Sequence, residues 1–278
     1  MMLAALTYML GAGIARYLGL PIRLLPLILG LAVAILFQSA LSLLAAGFRA
    51  RREAPAGADA QEDTDLLRNA ALRISVAAIV TAVLVTLALS RNEGISKDAW
   101  LYVAISLLMV VVYAVPPARL LDRGLGEGLL AVQVAYVTPA LGFSLQAGGY
   151  HRLLGACTAA LTMLLVGMLI ALGFSSYAED LRHERSTLLT TLGWHRAVGI
   201  HHALVISAYA LLGISGLLGF SFRIFLPAFL TLPFAALQIF VLRQITRGAK
   251  PMWRLLNTTA ISAFGLTTYF LTLSFWLR

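Results

Sequence analysis

Residues 153–196 read LLGACTAALTMLLVGMLIALGFSSYAEDLRHERSTLLTTLGWHR. The first part, Leu153 to Ser175, is an apolar run long enough to cross a hydrocarbon core as one helix. The second, Ser175 to Arg196, interleaves Glu179, Asp180 and Glu184 with Arg182, Arg185 and Arg196, and another apolar run follows at once. A bilayer favours the two runs and rejects the charges between them, so the stretch describes a span, a polar membrane edge and the next span. That alternation decides the fold class, an all-α polytopic membrane bundle. It also makes the charged segment the first place to look for chemistry.

The pattern repeats outward in both directions. Of 278 residues, 60% are hydrophobic and 12% are charged, with a mean hydropathy of +0.88, a composition that excludes a soluble globule. Apolar runs of span length fall near 2–19, 22–48, 70–90, 99–115, 127–147, 153–175, 197–218, 222–242 and 256–277. They predict about nine transmembrane helices in a single integral membrane domain, residues 1–278. Gly19, Pro21 and Arg23 separate the first two.

Bases concentrate in alternate loops. One set carries Arg49, Arg51, Arg52, Arg68, Arg119, Arg123, Arg182, Arg185, Arg196, Arg243, Arg247, Lys250 and Arg254; the other holds Arg16, Arg23, Arg91, Lys97, Arg152 and Arg223. The positive-inside rule then puts the richer loops and the amino terminus in the cytoplasm, in a multi-pass protein of the inner membrane. The formal charge of +9 is spread over these loops rather than gathered in a patch, so no nucleic-acid partner is expected. The first charge is Arg16, which leaves no basic n-region of a secretory signal, so the first span is expected to persist. The lone Cys157 lies inside an apolar run, which rules out an intrachain disulfide and suits packing. Between about 49 and 68, Pro55, Gly57, Asp59, Glu62, Asp63 and Asp65 describe a mobile cytoplasmic loop.

Residues four apart share a helix face. If helix continues through the charged segment at 175–196, Asp180 and Glu184 form an acidic pair, with Ser176 one turn below and Glu179 beneath His183. Two carboxylates on one face hold a divalent cation through oxygen, and neighbouring arginines hold a diphosphate. A solvated helix end laced with ion pairs would carry the same pattern. Other marked residues read more plainly: His195, His201 and His202 as interfacial, Trp100, Trp253 and Trp276 as belt aromatics, Asn257 as a helix cap, and Met163 and Met168 as packing.

The stretch Tyr113-Ala-Val-Pro116-Pro117-Ala-Arg119-Leu-Leu-Asp-Arg123-Gly124-Leu-Gly126-Glu127 resembles a loop of the UbiA superfamily of membrane prenyltransferases. There a tyrosine, a double proline, basic residues and R-G-L-G-E follow the fourth span. Gly142, Gln146 and Gly148 also fall where quinone-type members, such as the naphthoate prenyltransferases, carry glycine, glutamine and glycine. The charged segment aligns without a gap to the family's second aspartate motif, with Phe174, Tyr177, Asp180, Arg185, Thr187 and Leu188 matching in identity or charge.

The resemblance implies a nine-helix fold with a lateral opening to lipid, and transfer of a prenyl chain from its diphosphate to an aromatic or lipophilic acceptor. It further implies Asp180 as the catalytic position, Arg119, Arg123, Arg182 and Arg185 as diphosphate ligands, and Gln38, Ser42, Arg49, Tyr113, Ser176 and Tyr177 around the pocket. Magnesium is the implied cofactor. Yet the first aspartate of the second motif falls on Ser176, and the first motif aligns to Gln38, Ser42, Ala45, Ala46 and Arg49, where no carboxylate remains.

Three arrangements would still hold a diphosphate: a metal on Asp180 and Glu184, the acids from Asp59 to Asp65 folded over the pocket, or a direct clamp by Arg49, Arg119, Arg123, Arg182 and Arg185. Three functions stay open beside them. One is the prenyltransferase, the second an isoprenoid cyclase on the same fold. The third is a catalytically lapsed member that binds an isoprenoid, quinone or pigment as a subunit of a membrane complex. The expected partners are thus a prenyl diphosphate or other isoprenoid lipid, the bilayer and, in the last reading, a membrane-complex partner.

Overall fold

Lipid offers no partner for backbone N–H and C=O groups, so each apolar run closes its own hydrogen bonds as helix. The computed structural model describes residues 1–50, 58–115, 119–217 and 219–278, with all their side chains except those of 48–50, 58–64, 114 and 122. Every regular element among the described residues is helical. The chain runs α1 (Met2–Tyr17), α2 (Leu24–Ala50), α3 (Ala58–Glu93), α4 (Lys97–Ala114), a 3₁₀ turn (Leu120–Arg123) and α5 (Gly126–Val132). A π-helical segment (Gln133–Val137) leads from α5 into α6 (Thr138–Ala147), and then come α7 (Arg152–Arg182), α8 (Leu188–Leu192) and α9 (Trp194–Ile214). After α10 (Phe222–Phe225), a 3₁₀ segment (Leu226–Thr231) continues into α11 (Leu232–Thr246), and α12 (Trp253–Trp276) ends the fold.

Six described helical rods are long and apolar enough to cross a membrane, covering 24–47, 65–93, 126–147, 152–182, 194–214 and 222–246. The expectation of nine is corrected to that extent. The other three runs are helical too: α1 has 16 residues, α4 has 18, of which Ala114 has no described side chain, and α12 is diluted by Thr258, Thr259, Thr267, Thr268 and Thr272. Helix α3 also starts well before the expected residue 70. Ala58, Ala60, Gln61, Glu62, Leu66 and Leu67 are helix formers with no glycine or proline among them. Helix thus takes both flanks of the segment expected as a loop at 49–68, and residues 51–57 lie outside the described residues.

Helices α1 to α4 and α6 pack as one half, and α7, α9, α11 and α12 as the other. They meet where α1 lies on α12 and where α5 and the π-helical segment lie on α7. Trp276 Nε1 donates to the Met9 carbonyl at 2.9 Å, and the Tyr17 and Phe275 rings meet edge-on at 5.6 Å. The contact of α1 with α6 is closer still. A Cβ on Gly11 would collide with the Pro139 carbonyl oxygen, and one on Gly142 with the Tyr8 carbonyl oxygen. Small residues let these backbones touch, as they do where helices associate in lipid.

At one end of the bundle the Arg23 main-chain N–H donates to Gln146 Oε1 at 2.8 Å, and its guanidinium donates to the Leu145 carbonyl at 2.6 Å. Ser96 Oγ donates to the Ser144 carbonyl at 3.2 Å. The connections 18–23, 94–96 and 148–151 therefore meet there. The opposite end gathers the segments 119–125, 183–193 and 247–252, which are rich in arginine.

Candidate functional site

At the arginine-rich end α7 stops after Arg182 without a glycine or proline to stop it. His183 caps the helix, Glu184 turns into the left-handed region at φ +50°, and the Arg185 N–H donates to the Asp180 carbonyl at 2.8 Å. This reversal returns the Arg185 side chain to Asp180, whose Oδ1 accepts from Nη1 at 3.2 Å. The other carboxylate oxygen, Oδ2, accepts from the Ser176 hydroxyl at 3.0 Å. Asp180 is buried at 5% exposure, while the Arg185 side chain keeps 29%.

Beyond the turn, Thr187 opens α8 with a capping box: its Oγ1 accepts from the Thr190 N–H at 3.2 Å, and Thr190 Oγ1 accepts from the Thr187 N–H at 2.8 Å. The segment expected as one loop over 175–196 is thus the end of α7, a turn at 183–187, all of α8 and the start of α9.

The Arg119–Glu127 segment packs on that turn. Gly124 sits at φ +72°, and the place of its missing Cβ is taken by the Thr191 hydroxyl and, at 2.9 Å, by the Thr187 carbonyl oxygen. Glu127 Oε2 accepts from the Leu188 N–H at 3.2 Å. Gly126 lies against the ring of buried Tyr113 and against Leu121, where a Cβ would come within 3.3 Å and 3.0 Å of them. Arg119 is half-buried in a left-handed conformation at φ +35°, and Arg123 is exposed. Two segments singled out separately in the sequence are therefore one structural unit.

Aromatic rings wall the unit. Trp194 packs edge-on against Phe174 at 4.7 Å, Tyr177 at 5.5 Å and Trp253 at 6.3 Å. Sequence reading passed over Trp194, whose only signal was its place right after Gly193 in the charged segment. Trp253, expected as a belt aromatic, belongs to this wall. Asn257 does not cap α12 as expected but lies inside it, because the helix begins at Trp253. Its Nδ2 is 3.5 Å from Ser175 Oγ, and its Oδ1 is buried with no partner among the described residues.

Several expected neighbours make no described contact with Asp180. Glu184 lies two residues past the helix end, exposed, so the one-turn acidic pair with Asp180 is not made and that reading is corrected. Arg182 is exposed on the last turn of α7. Gln38 and Ser42 lie on α2, in the other half of the bundle; Ser42 Oγ donates to the Gln38 main-chain carbonyl at 3.0 Å, and Gln38 Oε1 is buried with no partner among the described residues. The side chains of Arg49, Asp59, Glu62 and Asp63 fall outside the described residues, as do Pro116 and Pro117. Asp65 is 3.9 Å from Arg68 on its own helix. His201, expected at the interface, is fully buried, with Nε2 3.4 Å from Gln238 Oε1 and Nδ1 3.1 Å from His202 Nδ1.

The donor set at Asp180 does not fit magnesium. Both carboxylate oxygens are engaged, one by a cation, and among the described residues no group of three His, Cys, Asp or Glu side chains is arranged to hold a metal. Magnesium takes octahedral oxygen ligands, commonly one or two carboxylates with phosphate oxygens and waters, and the carboxylate described here is already bonded to an arginine and a serine.

Solved structures share this architecture along its whole length. A UbiA homolog from Archaeoglobus fulgidus bound to GPP and Mg2+ superposes with a TM-score of 0.68 at 15% identity, over 99% of this chain and 97% of that one. The same homolog bound to DMAPP and Mg2+ gives 0.66 at 14% identity, over 97% and 96%. The apo structure of a UbiA homolog from Aeropyrum pernix K1 gives 0.59 at 17% identity, over 98% and 94%. At such identities the likeness shows the fold, and the chain has the UbiA fold. No family model and no curated protein matches its sequence.

Proposed function

We propose that this chain is a UbiA-type prenyltransferase, holding an isoprenoid diphosphate at its arginine-rich end and moving the prenyl chain to a quinone-type aromatic ring or other lipophilic acceptor. The observation that carries this reading is the junction of the Arg119–Glu127 segment with the Asp180–Leu188 turn. The fold shared with homologs that bind DMAPP and GPP supports it. By the distribution of bases, that end faces the cytoplasm.

In the reaction the bond between the prenyl C1 and the diphosphate oxygen breaks, and the electron pair leaves with the diphosphate. The acceptor carbon attacks the allylic cation and then loses its proton. Arg185, steered by Asp180, meets the negative charge gathering on the leaving group, with Arg119, Arg123 and Arg182 at the same end. Tyr177 and Trp194 offer ring faces to the cation. Among the described residues no set of ligands fits magnesium, and none of these steps uses it.

The test is turnover of labelled geranyl diphosphate by protein purified into nanodiscs, with a panel of aromatic acceptors. Asp180→Ala is expected to abolish diphosphate release while the protein stays folded and inserted. Unchanged release would remove Asp180 from the mechanism.

One observation favours a second reading, that of a lapsed member serving as an isoprenoid-, quinone- or pigment-binding subunit. Asp180 is already committed to Arg185 and Ser176. A tightly bound isoprenoid in the purified protein, with no diphosphate release from any donor, would support it. A cyclase differs from the transferase only in needing no acceptor, and product analysis separates the two.

A further inference from the structure

Where α9 and α11 run side by side toward the arginine-rich end, we infer a binding site for an anionic phospholipid. The two helices are antiparallel and meet at His201 and Gln238, whose Nε2 and Oε1 are 3.4 Å apart. On α9, His195, Gly199, His202 and Ile206 fall on one face by their spacing. On α11, Phe240 and Arg243 share a face, and Arg247, the C-cap, follows one turn on. Arg243 is within electrostatic reach of His202, so the two faces border one seam. Gly199, Ile206, Phe240, Arg243 and Arg247 are exposed there. Nothing lies within 4 Å of the place a Cβ on Gly199 would take, which leaves a notch between His195 and His202.

The positive-inside rule accounts for bases at this end, but not for the notch beside them or for what His202 does. His202 is half-buried, its Nδ1 is 3.1 Å from His201 Nδ1, and its Nε2 is buried with no partner among the described residues. No Asp or Glu follows Glu184 in the chain, and neither Arg243 nor Arg247 forms an ion pair with a described residue. Two guanidinium groups beside open space suit a phosphodiester, and basic pockets between spans are where anionic headgroups bind.

The levels fit a lipid rather than a soluble phosphate. Arg243 stands five residues, about 7.5 Å, nearer the bundle end than Gln238. A phosphate at Arg243 and Arg247 therefore lies at the membrane edge, with the ester oxygens of the same lipid below it at the depth of His202. Such an oxygen accepts from Nε2 when His202 carries its proton there. Exposed Ile206 and Phe240 then meet the acyl chains, which a soluble anion would leave uncovered.

The experiment is native mass spectrometry of the full chain released from nanodiscs that mix phosphatidylglycerol with phosphatidylcholine. Wild type is expected to retain phosphatidylglycerol beyond its share of the disc. Arg243→Gln combined with Arg247→Gln should cut that enrichment about thirtyfold, two surface bases at their usual worth. His202→Phe should cut it roughly fivefold, the worth of one neutral hydrogen bond. Gly199→Leu removes no charge but fills the notch, and should also abolish it. Arg223→Gln, beside α10 at the other end of the bundle, should not.

Equal retention of the two lipids by wild type would overturn the site. So would enrichment that falls with the arginines but survives Gly199→Leu, since a diffuse positive field needs no notch. Displacement by inorganic phosphate would assign the bases to a soluble anion and overturn the lipid. Displacement by geranyl diphosphate would make them part of the diphosphate site, overturning this inference and leaving the prenyltransferase reading standing. Enrichment in a protein that binds no geranyl diphosphate would support the lipid site and count against that reading alone.

Discussion

Glu127 accepts a hydrogen bond from the Leu188 main-chain N–H at 3.2 Å, across 61 residues of sequence. That bond lies at the start of two helices, since Glu127 is in the first turn of α5 and Leu188 in the first turn of α8. A carboxylate there meets N–H groups that have no partner within their own helix. The acid therefore joins the start of α5, just after the arginine-bearing turn, to the start of α8, just after the reversal that follows α7.

Glu127→Ala is expected to weaken that join by roughly 1.5–3 kcal/mol, the range for a hydrogen bond to a charged group. Thermal unfolding in nanodiscs reads the loss. Glu127→Gln keeps an acceptor and should recover much of it. Equal melting of wild type and both variants would show that the bond does not hold the two segments together.

Gly124→Ala should be worse than an ordinary helix-edge substitution. The position is left-handed at φ +72°, and a methyl there meets both the Thr191 hydroxyl and the Thr187 carbonyl. Left-handed backbone alone costs about 1–2 kcal/mol for a residue with a Cβ. Pairing the change with Thr191→Ala removes the side-chain clash but neither the backbone contact nor the strain, so rescue is expected to be partial. Full rescue in binding and unfolding would mean that only the hydroxyl mattered.

Much of this was legible in the sequence, for identifiable reasons. Apolar runs must become helices in lipid, and the alternation of basic loops sorted the two ends of the bundle without any contact being known. Gln146 was marked only by its family position, and its work is the hydrogen bond to Arg23 that braces the turn between α1 and α2. What stayed hidden depended on contacts distant in sequence or on a break that nothing announces. The run Asp180-Leu-Arg-His-Glu184-Arg185 holds no glycine or proline, so periodicity carried the helix through Glu184 and paired the wrong acid. Arg185 stands five residues from Asp180, a spacing no helical face shares, and only the reversal brings them together. His201 was placed at the interface because its helix gives no hint of Gln238, its partner on α11.

Tyr209→Phe separates stability from ligand binding. Its hydroxyl lies 2.7 Å from Thr231 Oγ1 and 3.2 Å from Thr267 Oγ1, and those two are 2.7 Å apart. The buried triangle ties α9 to α12 and to the 3₁₀ segment before α11. Loss of one hydroxyl should cost about 0.5–1.5 kcal/mol, the net worth of a neutral hydrogen bond, because Thr231 and Thr267 keep each other and their own backbone acceptors. Geranyl diphosphate binding, far along the chain from these residues at Asp180 and Arg185, should hold at temperatures below the lowered transition. Loss of binding in a variant that still melts cooperatively would instead tie the triangle to the site.

Gly142→Ala tests whether α1 and α6 touch by backbone. On α6 a Cβ at this position would strike the Tyr8 carbonyl oxygen on α1, and neither backbone can yield without moving its whole helix. Overpacking of that kind costs about 1–3 kcal/mol. Gly265→Ala on α12 is the matched control, since a methyl there meets nothing within 4 Å. Replacing a helical glycine with alanine in open space should stabilise by roughly 0.5–1 kcal/mol. The two substitutions, identical in chemistry, are therefore expected to shift thermal unfolding in opposite directions. A shift of the same sign for both would mean that α1 and α6 have room between them, and that Gly142 is not there to let the helices approach.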